Sequence, residues 1–178
     1  MGFKAVVTRR SDTQWTLKPQ DLLVGFALAC QQGSLDDREL GMSTSGVRDS
    51  MQRLMGARLA VTFDGGTHIV MPAFRPFVTC AAVYCFPAVM GLVVHGHKTG
   101  IAEDWPIDID PVERMVWPDE SGSSVGRSIL PLHPCAPVAS RNIPGLSQCL
   151  WLFDVARTTS GKTFNHAISR LSLSLSGN

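Results

Sequence analysis

Residues 42–58 restrict the fold more than any other part of the chain. Apolar side chains recur there at the spacing i, i+4, i+7 and i+8, at Val47, Met51, Leu54 and Met55. This spacing puts them on one side of an α-helix, whereas a half-buried strand would require strict alternation. Ser43 is a typical N-cap, because its hydroxyl can accept a hydrogen bond from a free backbone N–H of the first turn. We therefore predict an amphipathic helix that begins at Thr44 and runs to Arg58.

The segments on either side of this helix extend the pattern. An apolar helix with a proline in its first turn is predicted over 17–32, and a short second helix over 35–40. Gly41 can take the positive φ that ends a helix. Downstream, two β-prone runs flank Asp64-Gly65-Gly66, which predicts a β-hairpin. The order helix, turn, helix, hairpin is that of a winged helix-turn-helix.

Two parts of the chain resemble known proteins. Residues 1–71 resemble the winged-helix transcription regulators of the MarR-like kind. The second half contains three motifs: Tyr84-Cys85-Phe86-Pro87-Ala88 with Gly91, Gly96 and Thr99; Val116-Trp117-Pro118-Asp119 with Gly122 and Gly126; and Pro131-Leu132-His133-Pro134 with Pro137. Together these motifs resemble a recurring pattern in a group of bacterial winged-helix proteins of undefined role. The resemblance implies a DNA-binding regulator of transcription.

Residues suited to double-stranded DNA lie on the polar side of the predicted helix and on the hairpin. Arginine and glutamine can bond base edges in the major groove, and hydroxyls at a helix N-terminus suit phosphate oxygens. A hairpin beside the helix can touch sugar or phosphate. The predicted DNA-binding residues are Ser43, Thr44, Ser45, Arg48, Gln52, Arg53, Arg58, Thr67 and His68.

Net charge does not by itself indicate a nucleic-acid partner. The chain carries 16 Lys and Arg against 15 Asp and Glu, and residues 1–71 are almost neutral. Local pattern matters more, because phosphate contacts need only a few cations on one face. The five cysteines, an odd number without paired spacing, indicate reduced thiols. With no signal peptide recognised at the N-terminus, we expect a cytoplasmic protein.

The second half combines apolar segments with an uneven charge distribution. Residues 77–94 carry no charge, but Pro87 and Gly91 interrupt them, which favours a packed helix over 73–86 and not a membrane span. Further apolar helices are predicted over 145–157 and 162–175, although the serine-rich end also alternates like a strand. Residues 101–120 are acidic, with a net charge of −6.

These observations predict a mainly α (α+β) fold in two domains. Residues 1–71 would form the winged helix-turn-helix, and residues 72–178 a helical, loop-rich region for dimerisation or for binding a partner or effector. Surplus apolar helix at a C-terminus completes a core or pairs with a second copy, and we expect a homodimer.

Motifs for catalysis, metals and cofactors are missing or incomplete. Gly161-Lys162-Thr163 would end a phosphate-binding loop, but Ala156 stands where that loop needs its first glycine. The pairs His95/His97 and His133/Cys135 lack the second pair that structural zinc sites normally show. We therefore expect no enzyme activity, no metal and no cofactor.

Two other functions remain open at this stage. A protein-interaction module, such as an autoregulating antitoxin or a component of a defence system, is favoured by the near-neutral first domain and the acidic 101–120 segment. The other is a small-molecule sensor, whose pocket would be lined by Trp105, Trp117, Tyr84 and Phe86.

Overall fold

The computed structural model describes residues 16–31, 35–99 and 115–176, and shows a mixed α+β fold. The first half contains helices α1 (Pro19–Gln31), α2 (Asp37–Leu40) and α3 (Thr44–Gly56), followed by strands β1 (Ala60–Phe63) and β2 (Gly66–Ile69). Helix α4 (Met71–Pro76), a π-helical segment (Phe77–Ala82) and α5 (Val83–Cys85) come next. The remaining elements are strands β3 (Val93–Lys98), β4 (Met115–Pro118) and β5 (Ser124–Ser128), and helices α6 (Ala136–Asn142), α7 (Leu146–Thr158) and α8 (Gly161–Ser174).

Helix α1 lies at the centre of the molecule. Every residue from 21 to 29 is buried, so the helix has no solvent face and packs on elements from both halves of the chain. The Phe26 ring meets the Phe74 ring edge-on at 5.6 Å between centroids, and the Phe153 ring at the same distance. Gly25 makes room for Phe74, because a Cβ there would lie 2.7 Å from the phenyl ring. The sequence predicted one apolar face for this helix, and the structure buries residues 21–29 on every side.

The segment after the hairpin forms one helical run from Met71 to Cys85, close to the predicted 73–86, and only its second part belongs to the uncharged residues 77–94. Pro76 cannot donate a backbone hydrogen bond, and the helix widens to π geometry immediately after it. The run ends two residues before Pro87, as the sequence predicts. Among the described residues, no helix combines the length and apolar character needed to cross a membrane.

A small closed sheet in the second half was not predicted from the sequence. Strand β3 pairs antiparallel with both β4 and β5, and those two pair parallel with each other over Met115↔Arg127 and Val116↔Ser128. Two glycines permit this close packing. A Cβ on Gly96 would lie 2.2 Å from the carbonyl oxygen of Trp117, and one on Gly122 would lie 2.2 Å from the carbonyl carbon of Gly96.

The C-terminal helices agree with the sequence prediction. Helices α7 and α8 match the predicted 145–157 and 162–175, and the serine-rich end is helical up to Ser174 and not a strand. The hydrophobic core includes buried residues from both sides of the predicted domain boundary, among them Leu22, Leu54, Phe74 and Phe153. The division into 1–71 and 72–178 stays a prediction, and the two parts share this core.

Candidate nucleic-acid interface

The turn between α2 and α3 is built from capping residues. The Asp36 side chain accepts a hydrogen bond from the Arg38 N–H and caps α2, which ends at Gly41 with φ of 67°. Ser43 then caps α3 as predicted, its Oγ accepting from the Gly46 N–H at 3.2 Å. A helix of four residues, a left-handed glycine and a capped long helix therefore follow one another without a gap.

The side of α3 that points away from the core is open to solvent. Val47 and Leu54 are buried on the inner side, while Ser45, Arg48, Asp49 and Gln52 are exposed; these four residues are called the outer face of α3 below. Arg48 forms no ion pair with any carboxylate in the part of the chain that the structure describes. The outer face therefore offers a cation and an amide side chain for contact with another molecule.

Arg53 does not belong to this surface, which corrects the prediction for it. Its Nε donates to Asp21 Oδ2 at 2.8 Å and its Nη2 to Asp21 Oδ1 at 2.7 Å, and the same nitrogen is 3.2 Å from Ser50 Oγ. Both residues are buried, and Asp21 raises the pKa of Arg53 further above its ordinary value. Arg53 therefore joins α3 to α1 and is not available to a phosphate.

The hydroxyls predicted at the start of α3 already have partners within the protein. Thr44 donates to a carboxylate oxygen of Asp37, and this hydrogen bond lowers the pKa of Asp37 below its ordinary value. Ser43 is engaged as the cap, and its Oγ lies 3.3 Å from Ser45 Oγ. All three residues are exposed, so their hydroxyl oxygens still face solvent at the N-terminus of a 13-residue helix.

Arg58 ends α3 in an unusual conformation. Its φ is 61°, a left-handed value that side chains other than glycine rarely adopt. Its N–H bonds the Met55 carbonyl, and the next N–H, of Leu59, bonds the Leu54 carbonyl, both at 2.9 Å. These two bonds form a Schellman motif, in which this position is usually glycine. The exposed Arg58 side chain leaves the end of α3 near the start of β1.

The hairpin has the predicted turn. Asp64 and Gly65 both have positive φ, as a two-residue turn of type I′ requires, and β1 pairs with β2 in the register Val61↔His68 and Thr62↔Thr67. His68 Nε2 lies 3.2 Å from the Phe63 carbonyl oxygen, and because a carbonyl only accepts, this nitrogen donates. Thr67 and His68 are half-buried, so each retains part of its surface for a contact.

Among the described residues, the aromatic side chains of the small-molecule hypothesis do not form one pocket. Trp117 is 2 % exposed and its Nε1 donates to the buried Asp154 at 2.9 Å, whereas Tyr84 is 70 % exposed and contacts the Phe164 ring. Trp105 lies outside the described residues. The sequence-based pocket is therefore not assembled by the described side chains.

Two polar groups of the second half were not predicted. His97 was considered only as a metal ligand, but its Nε2 lies 2.9 Å from Asp119 Oδ2. Asp154 is bound by Arg157 as well as by Trp117, with Arg157 Nε donating at 2.8 Å. The described residues contain no group of three or more His, Cys, Asp or Glu side chains placed to hold a metal ion. Asp119 lies next to His97 only because β4 pairs with β3. The spacing of these two residues in the sequence therefore gave no sign of their contact.

No family model, no curated protein sequence and no solved structure matches this chain.

Proposed function

We propose that this chain is a DNA-binding regulator of transcription with a winged helix-turn-helix, in which α3 enters the major groove. The observation that carries the proposal is the exposed outer face of α3, where Arg48 and Gln52 lie one helical turn apart and point away from the core. The resemblance of residues 1–71 to MarR-like regulators points to the same function, which would be exercised in the cytoplasm.

The outer face has the chemistry for reading base edges. Arg48 can donate two hydrogen bonds to guanine, and the Gln52 amide can pair with adenine in the same groove. The N-terminus of α3, with the exposed oxygens of Ser43, Thr44 and Ser45, suits a phosphate, because free N–H groups and the helix dipole favour negative charge there.

Arg58 and the hairpin would hold the backbone of the duplex. A non-glycine residue in the left-handed region costs about 1–2 kcal/mol, and such strained positions cluster at functional sites. An arginine at this position supplies an exposed cation between the end of α3 and the start of β1. Thr67 and His68 would add contacts to sugar or phosphate.

The proposal is tested by selecting duplexes from a random pool with the purified full chain and measuring affinity by fluorescence anisotropy over a salt series. Arg48→Ala should weaken binding to the selected duplex by about 1–3 kcal/mol, because it removes a base contact. Arg58→Ala should lower the slope of log K against log salt by about one, because it removes a phosphate contact.

The matched control is Lys162→Ala, which removes one positive charge from the exposed start of α8, outside both the proposed DNA contacts and the apolar surface of β3 and β5. It should leave affinity and slope at their original values. The proposal is overturned if no duplex is enriched, or if the three variants weaken binding equally, since that would indicate attraction by net charge alone.

The proposal includes a homodimer, because helix-turn-helix regulators contact two half-sites. Exposed apolar side chains suited to a second copy lie along adjoining parts of β3 and β5, with Leu92 82 % and Leu130 76 % exposed and Val93 and Val125 about half exposed. Val93 and Val125 point to the same side of the sheet, because they lie two register positions apart in the pairing of β3 with β5, while Leu92 and Leu130 flank these strands.

Light scattering after size-exclusion chromatography tests the dimer. The original chain should have twice the mass of one chain, and Leu92→Asp with Leu130→Asp should have the mass of a single chain. A monomeric original chain that co-purifies at one-to-one stoichiometry with a different protein would favour the second candidate function, a protein-interaction module that uses this apolar surface.

A further inference from the structure

A polar cavity lies between β3, the start of β5 and helix α6, and neither the sequence analysis nor the proposed function uses it. Its volume is about 320 Å³, and its lining includes Lys98, Arg141 and the serine hydroxyls of residues 123, 124 and 147. His97 forms part of the wall. Lys98, Ser123 and Arg141 are exposed, so the cavity opens to solvent on the side where the two cations lie.

The described lining of this cavity carries positive charge. Neither Lys98 nor Arg141 forms an ion pair with a carboxylate among residues 16–31, 35–99 and 115–176. No aspartate or glutamate lines the cavity within those ranges. Two cations that share a cavity without a counter-charge repel each other, and a bound anion would remove that repulsion.

Asp119 contacts this wall through His97, and both of its carboxylate oxygens already have partners within the protein. Oδ2 pairs with His97 Nε2, and Oδ1 accepts from the Ser121 N–H at 2.8 Å and the Ser121 hydroxyl at 2.6 Å. The bonds from Ser121, with a smaller effect of His97, lower the pKa of Asp119 below its ordinary value. Because an ionised carboxylate only accepts, His97 Nε2 carries its proton toward Asp119 and fixes the imidazole in the cavity wall.

Glycines in the closed sheet bring the cavity residues together. Gly122 lies directly on the backbone of Gly96, where any Cβ would overlap it. The chain can therefore cross β3 closely just before Ser123 and Ser124, next to His97 and Lys98. The opposite wall is α6, which supplies Arg141.

We propose that this cavity binds a small phosphate monoester, with Lys98 and Arg141 on the phosphoryl oxygens. An arginine fork and a lysine ammonium together are typical of phosphate recognition, and serine hydroxyls can donate to the remaining oxygens. A volume of about 320 Å³ is at the small end of ligand sites, which run from about 300 to 1,000 Å³. It accommodates a phosphate with a short organic group.

Helix α6 and the residue before it also contact α2 and the glycine that ends it. Asn142 Nδ2 donates to the Glu39 carbonyl at 3.0 Å, and Cys135 Sγ lies 2.7 Å from the Gly41 carbonyl oxygen. Arg141, which lines the cavity, directly precedes Asn142, which contacts α2. This step rests on the proposed function: a phosphate monoester would change the affinity of α3 for DNA through helix α6. DNA would then change the affinity for the monoester by the same factor.

Isothermal titration calorimetry with inorganic phosphate and glycerol 3-phosphate tests the site, and phosphorus NMR of the same mixtures identifies the bound species. Lys98→Ala and Arg141→Ala should each weaken binding about tenfold or more, because each removes a charge-assisted hydrogen bond. Arg127→Ala, outside the cavity, is the matched control and should bind like the original chain. Thermal unfolding of each variant checks that the fold is intact, as expected for exposed side chains.

The outcomes separate the site from the proposed function. Loss of binding in both cavity variants but not in Arg127→Ala supports the site even if no duplex DNA is ever selected. Absence of any titration signal overturns it, and so does equal binding by all variants. A short DNA duplex that competes for the cavity while the monoester does not bind would assign these cations to a nucleic-acid backbone and overturn the small-ligand proposal. A bound monoester that leaves DNA affinity unchanged rejects the coupling through α6 alone.

Discussion

Arg53 of α3 and Asp21 of α1 form a bidentate ion pair in the interior, at 2.8 and 2.7 Å. The Asp21 side chain has no exposed surface and that of Arg53 is 10 % exposed. The Lys18 N–H adds a third hydrogen bond to the same carboxylate at 2.8 Å. The pair fixes the distance and rotation between α1 and α3, and therefore the direction in which the outer face of α3 points.

Arg53→Met should lower the free energy of unfolding by about 3 kcal/mol or more, because it leaves the Asp21 charge buried without its partner. Urea denaturation followed by circular dichroism measures the change. The double variant Asp21→Leu with Arg53→Met should recover most of the loss, since it removes both charges. Arg48→Met, on the exposed side of the same helix, is the control and should stay within about 0.5 kcal/mol. A loss below 1 kcal/mol in Arg53→Met would contradict the structural role.

Asp154 predicts a pH dependence of stability. Burial raises its pKa to about 6 from 3.8, against the opposing effects of Arg157 and Trp117. The folded state therefore holds this proton more tightly than the unfolded state, and the contribution of Asp154 to stability falls as the pH rises from about 4 to about 6. A pKa shift of this size corresponds to about 3 kcal/mol in the free energy of unfolding.

Urea denaturation of the original chain and of Asp154→Asn, over the range from about pH 4 to about pH 8, isolates this contribution. Asp154→Asn cannot titrate, so its stability lacks the contribution of this proton. The stability of the original chain relative to Asp154→Asn should therefore rise as the pH falls from about 6 to about 4. Parallel profiles for the two proteins would show that Asp154 titrates at its ordinary pKa.

Local periodicity predicted the helices and the hairpin, because these depend on residues close in sequence. The apolar spacing in α3, the Ser43 cap and the positive-φ turn at Asp64 and Gly65 all lie where the sequence indicates. The closed sheet was missed because β3 must find its partners 18 or more residues away, and the glycines of the sheet weaken the strand signal. Arg53 was misassigned because a helical pattern separates a polar from an apolar side, but does not reveal that Asp21 approaches from another helix.

Gly122→Ala tests the closeness of the sheet. Its Cβ would meet the Gly96 backbone, which cannot move away without breaking the pairing of β3, so the free energy of unfolding should fall by about 3 kcal/mol. Gly65→Ala is the control, because nothing lies within 4 Å of its Cβ position and only the positive φ penalises it, by about 1–2 kcal/mol. Chemical denaturation measures both. A loss no larger at residue 122 than at residue 65 would show that the sheet can relax around the new methyl group.

Arg58→Gly separates folding from DNA contact. Glycine takes the left-handed conformation of this position without strain, so the free energy of unfolding should rise by about 1 kcal/mol. Arg48→Gly, in the middle of the same helix, should lower it by about 1 kcal/mol.

Under the proposed function both variants lose a cation from the interface, so both should bind the selected duplex more weakly although their stabilities change in opposite directions. Denaturation curves and anisotropy titrations on the same preparations provide both quantities. If the more stable Arg58→Gly protein bound DNA with unchanged affinity and salt slope, the strain at this position would have no explanation in DNA binding, and Arg58 would be removed from the interface.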